Sequence, residues 1–306
     1  ARDGVPVLRQ ACGSAERRFD SPNRFDTRFN FASIGKLLTK TAVAQLVAAG
    51  KLRLDDTLAK WLPDWPAESA AKITVAQLVE HRSGVPDFFN ERFRNMARST
   101  LRHNRDYLAL IRDEPLWFEP GSAERYSNGG YALLGEIVAR ASGEDYYDYL
   151  QKHVLAPAGM KDTGWFDADE PTPNLAQGYY RDEEHGGELR ENVLTRPARG
   201  SAAGGGYATV DDLLCFESAL RGGKLASPAW SRWVLGDEAP GRMGAVAADA
   251  AGAMPAGQAG AAGGPGAEAA MPSGYAFKGG APGISAHLGR EGSWTLIILS
   301  NLDRGI

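Results

Sequence analysis

Cysteine is nearly absent: Cys12 and Cys215 are the two in 306 residues, so no disulfide framework staples this chain. Both read as unpaired small hydrophobes, Cys12 in a strand-like stretch and Cys215 in a helix-like run. The five histidines, His81, His103, His153, His185 and His287, are scattered without the paired spacing of a metal-binding helix. No metal-ligand spacing is therefore present. No run approaches the roughly 18 apolar residues of a membrane span. Basic residues form no run or stripe, and 34 Lys and Arg stand against 38 Asp and Glu for a net charge of −4. That balance excludes nucleic acid as the main partner, because phosphate binding needs clustered cations. There is no Gly-x-Ser-x-Gly elbow, which removes the α/β-hydrolase route to an esterase. No signal peptide is visible, and the abrupt opening Ala1-Arg2-Asp3-Gly4 reads as entry into the middle of a hairpin with upstream sequence trimmed.

What is present is an ordinary globular composition, 43% hydrophobic and 24% charged, long enough for about two lobes around a well-buried core. Val5–Ala11 has strand character. From Ser33 to Leu52 the spacing of Leu37, Leu38, Thr41, Val43, Leu46 and Val47 predicts an amphipathic helix closed near Gly50. Thr74 caps a short helix over Ile73–Glu80, followed by the turn-rich His81-Arg82-Ser83-Gly84-Val85-Pro86-Asp87. Residues 91–125 read as polar helix. Further helices are expected over Gly129–Ala141, Tyr146–Leu155 and Thr209–Leu220, the last with Asp211 and Asp212 in its first turn. Residues 244–273 are almost wholly Ala, Gly, Pro and small polar groups and read as a flexible, dispensable surface excursion. Ile284–Leu288 and Ser293–Ser300 flank a turn at 289–292, an antiparallel hairpin. Strands at both ends and helices between predict an α+β fold. Its sheet lobe takes 1–32 and 200–306, and its mainly helical lobe 33–199.

Three places could carry chemistry. If Ser33 opens a helix, Lys36 lies one turn on along the same face, within reach of the hydroxyl that a base must deprotonate. The helix start adds partial positive charge, which favours an alkoxide and lowers the lysine's proton affinity. Alone, Ser-x-x-Lys is more often a capping serine with a solvent-exposed lysine. Tyr126-Ser127-Asn128 precedes the helix at Gly129. A tyrosine held between cations can shuttle a proton, and Asn128 has both a donor and an acceptor. Alone, Asn before Gly-Gly is turn chemistry. Phe277-Lys278-Gly279-Gly280-Ala281-Pro282-Gly283 opens the last sheet, where small residues expose backbone N–H groups to a substrate oxyanion. Alone, it is a glycine-rich strand entry.

In order, with 93 residues between the first two and about 150 to the third, these elements match the Ser-x-x-Lys, Tyr-x-Asn and Lys-x-Gly pattern of penicillin-recognising enzymes. The chain resembles the β-lactamase-related serine hydrolases, which comprise class C β-lactamases, penicillin-binding proteins, D-Ala-D-Ala carboxypeptidases and esterases. The resemblance runs through ITVAQLVEHRSGVPDFF, FEPGSAERYSNGGYALLGEIVARASGEDYYDYL, AGGGYATVDDLLCFESALRGGKL and GGAPGISAHLGREGSWTLIILSN, roughly Ala11–Leu235 and Gly274–Asn301. It implies a central antiparallel sheet flanked by helices, with an inserted all-helical lobe. It also implies an acyl-enzyme on Ser33 with Lys36 as base, Tyr126 assisting acylation and protonating the leaving group, and Asn128 orienting the substrate. The backbone N–H groups of Ser33 and Gly280 would form the oxyanion hole, and the resemblance implies neither a metal nor an organic cofactor. Substrates would be small esters, peptides or lactams, and the resemblance favours an exported, periplasmic setting.

The chain departs from that pattern in three ways. The family usually has a helix and strand before Val5 and a helix after Asn301. The tract at 244–273 has no counterpart. Phe277 stands where the family usually carries Lys or His, unless the motif is slipped to begin at Lys278. Because successive strand residues face opposite ways, only one register can aim Lys278 at the site, and the gapless match around Ala281-Pro282-Gly283 favours Phe277. A silent peptide- or peptidoglycan-binding module of the same fold is the alternative from another class.

Overall fold

The structure, a computed structural model, describes residues 1–237 and 270–303; most of the small-residue tract, 244–269, lies outside them. Its main sheet is antiparallel, β7 (Gly274–Ala281), β8 (Ile284–Glu291) and β9 (Trp294–Ser300), in the order β7-β8-β9. Pro282-Gly283 joins the first pair. Proline fixes φ at the first turn position and Gly283, at φ +73°, supplies the left-handed second one. The strand β8 continues through Gly289-Arg290-Glu291, read from sequence as turn, and the chain reverses instead at Gly292-Ser293. Tertiary charge decides this: the Arg290 guanidinium is held by the buried Glu217 at 3.3 Å and by Thr295 at 3.0 Å.

Both chain ends share the sheet. The Ala1 ammonium donates to the Thr295 carbonyl at 2.7 Å, and the Thr295 and Asp3 N–H groups bond Ala1 and Ser293 carbonyls across the free side of β9. With that edge occupied, Val5–Ala11 does not form the expected strand; Val5, Val7 and Leu8 are exposed, and Arg9 pairs with Asp211. Shorter antiparallel pairs are β1 (Ser14–Glu16) with β2 (Ser21–Pro22), β3 (Phe29–Asn30) with β6 (Tyr207–Ala208), and β4 (Tyr179–Asp182) with β5 (Glu188–Glu191).

The helix α1 (Gly35–Ala48) follows a 3-10 turn at Ala32–Ile34 and is buried on more than one face. Thr39, Thr41, Ala42 and Ala44 are enclosed along with the leucines, so it is a central helix rather than an amphipathic surface one. After α2 (Leu58–Trp61) and α3 (Ala67–Lys72), Thr74 caps α4 (Val75–Val79) in a capping box with Gln77. Residues 91–125 contain α5 (Glu91–Asn95) and then 3-10 turns instead of the expected long helix. The buried Asn104 side chain explains the irregular path, since it bonds the Ala132 carbonyl and the Ala202 N–H. Ser127 caps α6 (Asn128–Ser142), and Gly143 ends it at φ +77°. The helix α7 (Tyr146–Leu150) runs on through a π-turn into α8 (Ala156–Ala158). Thr209 caps α9 (Val210–Arg221), and α10 (Pro228–Val234) follows. One hydrophobic core links Phe31, α1, α6 and α7 with Ala286 and Leu288 of the sheet, which places the start of α1 at the junction of sheet and helices.

Candidate active site

Ser33 sits in the 3-10 turn that leads into α1, and Lys36 follows one turn later with Nζ 3.1 Å from Ser33 Oγ. The residue before the serine, Ala32, has φ +45°, a left-handed conformation that costs an L-residue on the order of 1–3 kcal/mol. Local contacts hold it there. The Ala32 N–H donates to Asn30 Oδ1 at 2.9 Å, and its carbonyl accepts from the Gly205 N–H at 3.3 Å. Two glycines from distant segments close on the turn. A Cβ on Gly204 would lie 2.2 Å from the Ala32 carbonyl oxygen, and one on Gly279 would lie 2.9 Å from the Ser33 nitrogen. No side chain fits at either place, which gives the glycine cluster and the strand motif one shared purpose.

Lys36 is 7% exposed. Its ammonium donates to Ser33 Oγ, to Asn128 Oδ1 at 2.7 Å and to the Ala203 carbonyl at 2.6 Å, so all three donors are used. The nitrogen also lies 4.7 Å from the Tyr126 ring centre and 5.3 Å from that of Tyr131. Burial pulls its pKa down from 10.5 to about 7, against an opposing pull from Asp87. Burial, more than the helix start, accounts for the lowered proton affinity. Near neutral pH both protonation states are therefore populated, as a base that must take and return a proton requires.

Tyr126 Oη is 2.7 Å from Ser33 Oγ, on the side away from the core, where the ring is half exposed. Burial raises its phenol above 10, only partly offset by the Ser33 hydrogen bond, and Asp87 raises it further. The sequence expectation of a tyrosine acidified by flanking cations is corrected here. Lys36 meets the face of the ring rather than the oxygen, and the phenol stays protonated.

Asn128 opens α6, and Asp87 fixes it: Asp87 Oδ2 accepts from the Asn128 N–H at 3.2 Å and from Nδ2 at 2.8 Å. The amide is thereby turned to present Oδ1 to Lys36. Sequence reasoning missed Asp87, together with His81, whose Nδ1 accepts from the Ser127 N–H at 3.1 Å. Both lie in the segment 81–87 read only as turn. The available signal was two titratable side chains inside a glycine- and proline-punctuated loop.

On β7 the side chains of Tyr275 and Phe277 share the face of Gly279, the face that meets the Ser33 turn. Phe277 is half buried, 5.6 Å from the Tyr275 ring, whose hydroxyl donates to Glu217. Lys278 is exposed on the opposite face, across from His287 of β8, and is not brought to the Ser33 group. Gly280 is exposed, with the nearest atom to an added Cβ at 3.8 Å. Cys12 and Cys215 are free, both exposed, and Cys12 lies outside any strand. Among the described residues no helix is long and apolar enough to cross a membrane.

The family profile described as Beta-lactamase matches residues 1–306. A penicillin-binding protein of Bacillus subtilis (strain 168) is 31% identical over 187 residues, which are 60% of this chain and 41% of that protein. The chain therefore spans less than half the length of that relative. Esterase EstB of Burkholderia gladioli is 30% identical over 282 residues, 82% of this chain and 71% of the esterase. Among solved structures, a penicillin-binding protein from Bacillus halodurans superposes with a TM-score of 0.79 at 28% identity, covering 97% of this chain and 87% of that one.

Proposed function

The chain belongs to the beta-lactamase family, and on that premise we propose that it is a serine hydrolase that works through an ester on Ser33 and prefers neutral, short-chain or aromatic esters. One observation carries the reading: Ser33 Oγ lies between a buried lysine at 3.1 Å and a tyrosine hydroxyl at 2.7 Å.

The reaction follows from those contacts. In the neutral amine, Lys36 keeps two donors for Asn128 and Ala203 and turns its lone pair to the Ser33 hydroxyl. As Oγ bonds the substrate carbonyl carbon, its proton passes to Lys36, and the carbonyl oxygen becomes an oxyanion. The backbone N–H groups of Ser33 and Gly280 receive that charge. Collapse expels the leaving group, which takes a proton from Tyr126, and Lys36 restores it. Water then attacks the ester, its proton following the reverse path to Ser33 Oγ. On this reading the site falls between the helical lobe, 33–199, and the sheet lobe, 1–32 with the described residues of 200–306.

The substrate preference rests on Phe277. With an aromatic side chain on the face of β7 that meets Ser33, and Lys278 turned away, β7 brings no cation to Ser33 for the carboxylate of β-lactams and D-Ala-D-Ala peptides. Losing one charge-assisted contact is worth about 1.5–3 kcal/mol, or roughly 10- to 100-fold in selectivity. A p-nitrophenyl ester is thus expected to exceed a cephalosporin in kcat/KM, with Phe277→Lys narrowing the gap by that factor and Lys278→Ala leaving it unchanged. If Lys278→Ala selectively ruins the anionic substrate, the register is wrong. Intact-protein mass after fluorophosphonate treatment tests the class itself. One adduct on Ser33 is expected, and none would favour the silent binding module.

A further inference from the structure

His81 occupies a place where its backbone conformation works against it. Its φ is +57°, in the left-handed region that glycine enters freely and other residues adopt uncommonly. A histidine kept at such a place points to a use for the side chain. Its contacts converge on the tyrosine of the site. The His81 carbonyl accepts from the Arg125 N–H at 2.9 Å, and Nδ1 accepts from the Ser127 N–H at 3.1 Å. One residue thus grips both amides that flank Tyr126. The imidazole lies against the Tyr126 ring, centres 4.6 Å apart and planes at 32°, and its other neighbour is Tyr131 of α6 at 5.1 Å.

We propose that His81 is a positioning residue that holds Tyr126 Oη on Ser33 by clamping the amides on either side of it and backing its ring. This rests on the reading of Tyr126 as an acid/base group for acyl transfer on Ser33. The clamp requires a neutral imidazole, with Nδ1 free to accept and the proton on Nε2. The surroundings keep it so: burial, with Lys36 and Lys40 of α1 nearby, lowers its pKa from 6.5 to about 4.

Three substitutions separate the parts of the clamp. His81→Gly relieves the backbone and removes both acceptor and ring. His81→Phe keeps a ring and removes the acceptor. His81→Asn keeps a side-chain acceptor and tolerates the left-handed turn. For a p-nitrophenyl ester, His81→Gly is expected to lower kcat about 10- to 100-fold, the cost of a catalytic group misplaced by roughly an ångström, with little change in KM or melting temperature. His81→Asn should recover part of that loss. Amide hydrogen exchange at Ser127, which needs no substrate, should quicken in the Gly and Phe variants and stay slow in the Asn variant. The alkaline limb of the pH–rate profile should also move down toward 10 in His81→Gly as the Tyr126 phenol, faced by Ser33, Lys36 and Asp87, becomes more solvated. An active wild-type protein whose His81→Gly variant keeps full kcat and slow Ser127 exchange overturns the clamp alone. A wild-type protein that never acylates Ser33 overturns the hydrolase reading and the clamp's catalytic purpose with it.

Discussion

The two walls of the site are built on opposite principles. On the helical wall Lys36, Tyr126, Asn128 and Asp87 are linked through hydrogen bonds of 2.7–3.2 Å, and the lysine has every donor occupied. On the strand wall Gly279 and Gly280 present bare backbone beside a half-buried Phe277, with the lysine of that motif facing elsewhere. On the function proposed above, proton transfer falls to the dense network and substrate choice to the sparse, open edge. A network in which each member satisfies its neighbours tolerates few changes, because deleting one leaves another buried and unpaired. An edge made of backbone can change its selectivity through one side chain and keep its chemistry.

The first way to break this comparison is at the nucleophile. Ser33→Ala should abolish hydrolysis of any activated ester while circular dichroism and melting temperature stay those of the wild type. Retention of more than a small residual rate places the nucleophile elsewhere. Next come the two proton carriers: Tyr126→Phe and Lys36→Ala should each cost about 10²- to 10⁴-fold in rate. Their effects should not multiply in the double variant, since both serve one relay; independent, multiplying losses would mean that the helical wall is not a single network.

A sharper contrast comes from neighbouring glycines. An alanine methyl at Gly279 would lie 2.7 Å from the Phe31 carbonyl and 2.9 Å from the Ser33 nitrogen, whereas at Gly280 its nearest contact is 3.8 Å away. Gly279→Ala should therefore displace the Ser33 turn and reduce kcat by about 10²-fold, and Gly280→Ala should leave it nearly unchanged. Equal sensitivity at the two positions would refute the idea that only the Ser33 approach demands a missing side chain.

The smallest effect concerns pH. The base must be neutral, and the folded pKa of Lys36 is about 7, so kcat/KM should rise through pH 7 and fall about tenfold per unit below it. Lowering the pKa moves this limb down from the 10.5 of a solvated lysine, which would leave the enzyme almost idle at neutrality. A profile with no limb near 7 would mean that Lys36 is not the base.

Local chemistry was legible in the sequence wherever it acts within one turn of chain. The caps at Thr74 and Thr209 and the Ser33-to-Lys36 step all involve residues three apart. Segments whose conformation answers to distant partners were misread. Residues 5–11 lost their strand because Ala1–Asp3 occupy the sheet edge, and 91–125 lost their helix to the bonds of Asn104. In the site, the glycines at 204 and 279 gave no hint that both would close on one turn, nor did segment 81–87 reveal that Asp87 and His81 reach 41 and 46 residues ahead to residues 128 and 127. By itself the sequence determined which residue types stand at which helix start, strand and turn, because those preferences are settled by backbone geometry and nearest neighbours. Only the tertiary structure decided the protonation of Lys36, the orientation of Asn128 and the face of β7 that meets Ser33. Burial, long-range hydrogen bonds and steric closeness exist only once remote segments share the same space.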